Sequence, residues 1–449
     1  MVTSNLPQRR FFDSNQTRSY EFRRQSLLRL KQAIKNQTPA ILEALRKDLK
    51  KPDVESYLSE IAFVQKEIFY TLRHLKQWMK PRRVGTPWLQ WIARSHVQTE
   101  PMGVVLIIGP WNYPFQLLLS PLVGALAAGN CAVLKPSELA PATAETVTRL
   151  IAETFDPAVV TSVPGDVQVS QALLEQQWDY IFFTGSVGVG RHIMAAASKY
   201  LTPVTLELGG KSPCIVDADT DIDASARRIV WGKFFNAGQT CVAPDYVLVS
   251  KKIRQDLVLR MQAYVETFFG KDPAQSPDYA RIINARHFDR LCGILGEARV
   301  TTSRDSLYIP PTLLVGVGGD HPSMREEIFG PILPVIEYSD LSDAIRFVKE
   351  RPKPLACYLF SKNKETQRRI LSELSFGGGC VNDTLVHLSN PKLPFGGVGE
   401  SGMGAYHGEY SYKTFSHQKS IMKRSFWIDP RFRYPPYKNR LGFFRKLIG

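Results

Sequence analysis

Several familiar features are missing from this 449-residue chain, and each absence closes a class of function. Its six cysteines, Cys131, Cys214, Cys241, Cys292, Cys357 and Cys380, include no CxxC pair and no even spacing, so no disulfide framework is expected and a reducing, cytoplasmic setting is. The histidines, among them His192, His287, His321, His387 and His407, form no HxxxH or Cys/His cluster, which argues against a metal site. The opening MVTSNLPQRRFFDSN lacks the apolar core of a secretory leader. Nothing resembles a recognised nucleic-acid-binding module. Residues 101–134 lack any charged side chain, yet Pro110, Pro114 and Pro121 argue against one continuous membrane helix and favour a buried core.

What is present is an ordinary globular composition, 44% hydrophobic and 22% charged, in a chain long enough for two or three domains. The formal charge of +15 is uneven, because from Lys419 onward basic residues face a single acid, Asp429. That tail reads either as a solvated extension or, since Phe443, Phe444, Leu447 and Ile448 alternate with Arg445 and Lys446, as an anchor to an anionic membrane surface.

Residues 17–80 have helical periodicity and abundant charge, as expected of solvent-faced helices. From residue 103, short β-branched runs (VVLIIG, CAVLK, YIFFTG) alternate with helical segments, the pattern of a parallel sheet covered on both faces. A helix is expected to follow GSVGVG, residues 185–190, and a strand, glycine turn and helix in succession place backbone N–H groups beside a phosphate. Alone the glycines are weak evidence, since such turns are common for steric reasons. A second alternating region follows Lys211, with strands expected at PCIVDAD, YVLVS, PTLLVGV, ILPVIEY and CYLFS.

Three residues stand out as chemistry. Cys241, in FFNAGQTCVAPDY, lies in a glycine-containing bend after a helix; a free cysteine is usually a buried structural residue, but here a rigid loop presents it to a substrate. Glu207, in VTLELGGKSP, ends an apparent strand among leucines, where ionisation is disfavoured and its pKa is raised toward that of a general base; the plain alternative is a carboxylate facing water or an arginine. Asn112, in GPWNYPF, is fixed in a stiff turn where its amide can meet an oxyanion, although an asparagine between prolines is more often a turn residue.

From about residue 100 to 425 the chain resembles the aldehyde dehydrogenase superfamily: PWNYP, LKPSE, FTGSVGVG, LELGGK, GQTC, EEIFGP and PFGGVGESGMG appear in family order. SPDYARIINARHFDRL, VNDTLVHLSNPKLPFGG, RYPPY and the short N-terminus look like the class 3, fatty aldehyde dehydrogenase branch. The resemblance implies that Cys241 is the nucleophile, that Asn112 and the Cys241 N–H hold the oxyanion of a thiohemiacetal, and that Glu207 activates water against the thioester left by hydride transfer. It implies NAD or NADP as cofactor. Gly185, Ser186, Gly188 and Gly190 would lie at the pyrophosphate, Lys135 and Glu138 at the adenosine ribose, and Glu327 and Phe329 at the nicotinamide ribose and ring. The glycines of PFGGVGESGMG are structural in the family, and no GK[ST] follows them.

The implied fold is α/β. It has a Rossmann-like parallel-sheet cofactor domain over residues 1–80 and 101–206 and a catalytic domain over 207–400. A bridging and oligomerisation element over 81–100 and 401–425 would make a homodimer, with a basic tail from 426. The implied activity is oxidation of hydrophobic aldehydes, medium- or long-chain aliphatic or aromatic, to acids. An acylating, coenzyme A-dependent enzyme is the neighbouring alternative, against which Glu207 counts; a binding protein that kept the fold and lost the chemistry is the other.

Overall fold

A computed structural model of the chain describes residues 6–448 apart from 297, 299 and 438. Residues 1–5, which begin the stretch read above for a leader, and Gly449 lie outside the described residues, as do the side chains of Phe443, Leu447 and Ile448 from the tail. Contacts divide the chain into two compact units, Met1–Trp78 with Pro101–His417, and Met79–Glu100 with Gln418–Gly449.

The first unit holds two six-stranded sheets. In one, the spatial order is Gly402–Met403, Val204–Glu207, Tyr180–Thr184, Val104–Ile108, Cys131–Lys135 and Val160–Ser162. All its neighbours are parallel except Gly402–Met403, which runs antiparallel to Val204–Glu207. The other runs Thr312–Val315, Ile332–Tyr338, Tyr246–Ser250, Pro213–Val216, Ala356–Phe360 and Gly378–Val381, parallel throughout. The apolar runs expected as strands are strands, and Val104–Ile108, Cys131–Lys135 and Tyr180–Thr184 are buried at every residue, as central parallel strands must be.

The uncharged stretch 101–134 is core. Its helix, Gln116–Ala128, is buried along its whole length and carries Pro121 inside it. Among the described residues no helix is long and apolar enough to cross a membrane.

Three expectations need correction. The helix after the glycine turn begins at Val187, capped by Ser186, so Gly188 and Gly190 lie in its first turn and not before it. The charged N-terminal helices are not solvent-faced throughout: Lys51 and Glu60 form an ion pair at 2.7 Å with both side chains fully buried. Residues 402–417, read as part of the bridge, pack within the first unit, because Gly402 pairs with Glu207 and the Phe415 carbonyl accepts from Asn130 at 2.9 Å. The second unit is built on a three-stranded sheet in the order Arg82–Val84, Ala93–Pro101, Ser416–Arg424, whose exposed, charged strands carried no apolar run to mark them.

Asn130 links three segments of the first unit. Its Oδ1 accepts from the Gly103 N–H at 2.8 Å, and its Nδ2 donates to the carbonyls of Ala125 at 3.2 Å and Phe415 at 2.9 Å. Asn130→Ala removes all three bonds from a site that is 1% exposed and should lower unfolding stability by about 2–4 kcal/mol in a denaturant titration; a loss below about 1 kcal/mol would contradict this role.

Candidate active site

Cys241 follows the helix Ile222–Phe234 and the short turn Phe235–Gly238. In that turn Asn236 and Ala237 adopt left-handed φ angles of 52° and 51°, which cost about 1 kcal/mol or more each and persist only where neighbours fix them. The fixing bonds are plain. The Asn236 N–H donates to Glu55 Oε2 at 3.0 Å, and its Nδ2 donates to the carbonyls of Asn112 at 3.0 Å and Gln239 at 3.2 Å. Gln239 is tied by its Nε2 to the Asn236 and Arg281 carbonyls and by its Oε1 to the Ile283 N–H. Gly238 has φ of 74°, and a Cβ there would lie 2.3 Å from the Gly330 carbonyl oxygen, so the turn closes only with glycine.

Asn112 is 3% exposed and is brought against this loop: one N–H of its amide donates to the Gln239 carbonyl at 3.0 Å, two residues before Cys241. The neighbouring Tyr113 hydroxyl bonds Thr240 Oγ1 at 2.6 Å. The second Asn112 N–H has no partner among the described residues, which leaves a donor for a ligand.

Glu207 ends the strand Val204–Glu207, paired with Thr184 on one side and Gly402 on the other. It is 2% exposed, and among the described residues neither carboxyl oxygen has a hydrogen-bond partner. Burial alone therefore pushes its pKa well above the ordinary carboxylate value. The half-buried Cys241 thiol is also pushed up, first by burial and then by the charges of Glu327 and Glu207, against the opposing effect of the Cys241 and Val242 N–H groups. These couplings bring Cys241, Glu207 and Glu327 into one electrostatic neighbourhood.

Glu327 lies close against a glycine: a Cβ at Gly209 would fall 1.9 Å from its Oε2. Burial and the nearby Asp245 raise its pKa to about 8, opposed by the Gly210 N–H, Lys211 and Lys233. Its loop is anchored from two sides. Lys211 pairs with Asp245 and donates to the carbonyls of Ser323 at 2.8 Å and Glu326 at 3.0 Å, while Asp245 Oδ1 accepts from the Ile328 N–H at 2.9 Å. Phe329 stands edge-on to Trp111, centroids 5.2 Å apart, next to Asn112.

The remaining sequence candidates gather at the carboxyl ends of the first sheet's strands. The chain order reverses between Val104–Ile108 and Tyr180–Thr184, a switch point of the kind at which open α/β sheets bind ligands. Lys135, 2% exposed, ends one strand and donates to Glu138 at 2.8 Å. Glu138 lines a cleft of about 500 Å³ with Pro141, Ala144, Arg149 and Gly165. Ser186 caps the helix Val187–Ser198, and a Cβ at Gly188 would meet open space, so the N-terminal N–H groups lie open to an anion. A nucleotide with a pyrophosphate fits this set: cleft, paired lysine and carboxylate, and uncrowded helix N-terminus.

Glu55, Lys51, Lys211, Asp245 and Gln239 were not singled out from the sequence. The left-handed Asn236 was legible in principle, since asparagine two residues before glycine favours such a turn. The buried charges carry no local signal.

A family model described as the aldehyde dehydrogenase family matches residues 9–421. The chain is 48% identical to a 4,4'-diaponeurosporen-aldehyde dehydrogenase of Staphylococcus aureus, over 97% of this chain and 96% of that protein. It is 47% identical to aldehyde dehydrogenase family 3 member H1 of Arabidopsis thaliana, over 98% and 93%. It is 46% identical to a dimeric NADP-preferring aldehyde dehydrogenase of Rattus norvegicus, over 95% and 96%. The substrate-bound structure of Staphylococcus aureus AldH superposes with a TM-score of 0.97 at 47% identity, covering 99% of this chain and 98% of that one. The chain belongs to the aldehyde dehydrogenase family, among its family 3 members, with NAD or NADP as its cofactor.

Proposed function

We propose that the protein oxidises hydrophobic aldehydes, medium- or long-chain aliphatic or aromatic, to carboxylic acids through a thioester on Cys241. The observation that carries this reading is a thiol and a buried, unpartnered carboxyl in one electrostatic neighbourhood, with the Asn112 amide bonded to the same loop. The Cys241 thiolate adds to the carbonyl carbon. The oxyanion that forms is held by the second Asn112 N–H and the Cys241 backbone N–H. NAD or NADP, when bound, would supply the hydride acceptor at this carbon. With the loss of hydride the carbon–oxygen double bond re-forms and the substrate carbon remains on the Cys241 sulfur as a thioester. Glu207, once ionised, takes a proton from water, the resulting hydroxide attacks the thioester, and the thiolate departs with the acid released. Lys135 and Glu138 would hold the adenosine ribose, Gly185, Ser186, Gly188 and Gly190 the pyrophosphate, and Glu327 and Phe329 the nicotinamide end. The names of the Staphylococcus aureus and rat relatives support an apolar aldehyde and acceptance of NADP.

The acylating alternative gives Glu207 no task, since coenzyme A brings its own nucleophile. The second unit is assigned to dimerisation, supported by the rat relative's name and by the exposed Trp88 and Trp91. For the tail, the fully exposed Phe426 and the nearly fully exposed Trp427, beside Lys423 and Arg424, favour a membrane-surface role over a solvated extension.

Three outcomes follow. Glu207→Gln should still release about one NADH per site and then stall, because only hydrolysis needs the base; loss of the first burst would remove that role. Since burial raises both Glu207 and the Cys241 thiol above their ordinary pKa values, and each acts in its deprotonated form, wild-type kcat should climb with pH through the neutral and alkaline range; a flat or falling profile would contradict the assignment. Deleting residues 426–449 should weaken binding to anionic vesicles in a sedimentation assay, and undiminished binding would remove the membrane role.

A further inference from the structure

Beneath the turn that carries Asn112 lies a buried pair of charges that the mechanism above does not use. Lys51 and Glu60, each 0% exposed, are joined at 2.7 Å. The Lys51 ammonium lies 3.8 Å from the centroid of the Tyr113 ring and donates to the Asn112 carbonyl at 3.5 Å. The second Glu60 oxygen accepts from the Phe115 and Gln116 N–H groups, both at 3.0 Å, where the helix Gln116–Ala128 begins. Glu60 sits in a widened π-turn, Tyr57–Ile61, a distortion frequent at functional sites.

The Asn112 carbonyl, the Tyr113 ring and the Phe115 and Gln116 N–H groups are thus held from below by these two charges, while the Asn112 side-chain amide is held from above by the Gln239 carbonyl. A buried ion pair is seldom net stabilising compared with apolar residues of the same volume, so stability is a poor explanation for its presence. Its contacts run to one turn, residues 112–116, and that turn presents the amide.

We infer that Lys51 and Glu60 form a positioning pair that fixes the Asn112 amide where the substrate oxyanion develops. The inference rests on the oxyanion role proposed for Asn112. Lys51 sets the height of the turn through the Asn112 carbonyl and the Tyr113 face, and Glu60 sets its rotation through the two N–H groups that open the helix. A displacement of about 1 Å at the amide would weaken the oxyanion contact while leaving the thiol in place.

The double variant Lys51→Met/Glu60→Gln removes both charges together and leaves neither unpaired. The rate of the first NADH burst should fall about 10- to 100-fold, with the KM for aldehyde changed less than about twofold. Alkylation of Cys241 by iodoacetamide forms no oxyanion and should keep its wild-type rate. Asn112→Ala should reproduce this pattern, and adding the double variant to it should cause little further loss, because both act on one contact. If Asn112→Ala slows the burst and the double variant does not, the pair has no positioning role while Asn112 keeps its own. If the double variant slows the burst and alkylation alike, the pair holds the whole Cys241 loop and the inference fails. If Asn112→Ala itself leaves the burst unchanged, the oxyanion reading falls and the inference with it.

Discussion

Burying a carboxyl group whose oxygens find no donor costs about 1–3 kcal/mol even when it is neutral, and more when it is charged. Glu207 is in that state at the end of a strand hydrogen-bonded on both flanks, which fixes its backbone. The penalty raises its pKa well above the ordinary carboxylate value and leaves the side chain without a partner among the described residues. The surrounding geometry follows from keeping this group dry: Gly402 closes one edge of its strand, and the Glu207 carbonyl accepts from the Gly185 N–H at 3.0 Å on the other. The base and the glycine turn of the cofactor region are therefore one hydrogen bond apart.

The thiol loop meets a different constraint. Two consecutive left-handed residues and a glycine with a carbonyl against its Cα are unfavourable locally, and they are held by the Glu55 carboxyl and the Asn112 carbonyl from distant parts of the chain and by the Gln239 side chain within the loop. The bonds of the Asn236 N–H and Nδ2 and of both Gln239 amide atoms offset this strain, while the buried Asn236 Oδ1 has no partner among the described residues. The catalytic arrangement is therefore a property of the N-terminal helices as much as of the sheet that carries Cys241.

Much of this was legible in the sequence. The parallel sheets announced themselves in β-branched runs such as VVLII and CYLF, whose burial on both faces leaves no polar alternation to misread. Cys241, Glu207 and Asn112 stood out because motif glycines and prolines frame each of them. Lys51, between two helices, and Glu60, in a π-turn, did not, because a charged residue looks the same in sequence whether its partner is water or a buried counter-ion, and that partner is set by tertiary packing. The edge of the bridging element was missed for a related reason: residues 402–417 read as an exposed glycine-rich connection until Asn130 and the strand at Glu207 claimed them.

The central claim is that the sulfur of Cys241 is covalently acylated by the carbon that has lost its hydride. Mass spectrometry of enzyme quenched during turnover of a hydrophobic aldehyde tests it most directly. The peptide containing Cys241 should carry the added mass of the substrate's acyl group, and no other cysteine should. An unmodified Cys241 in enzyme that is still accumulating acid would contradict the account.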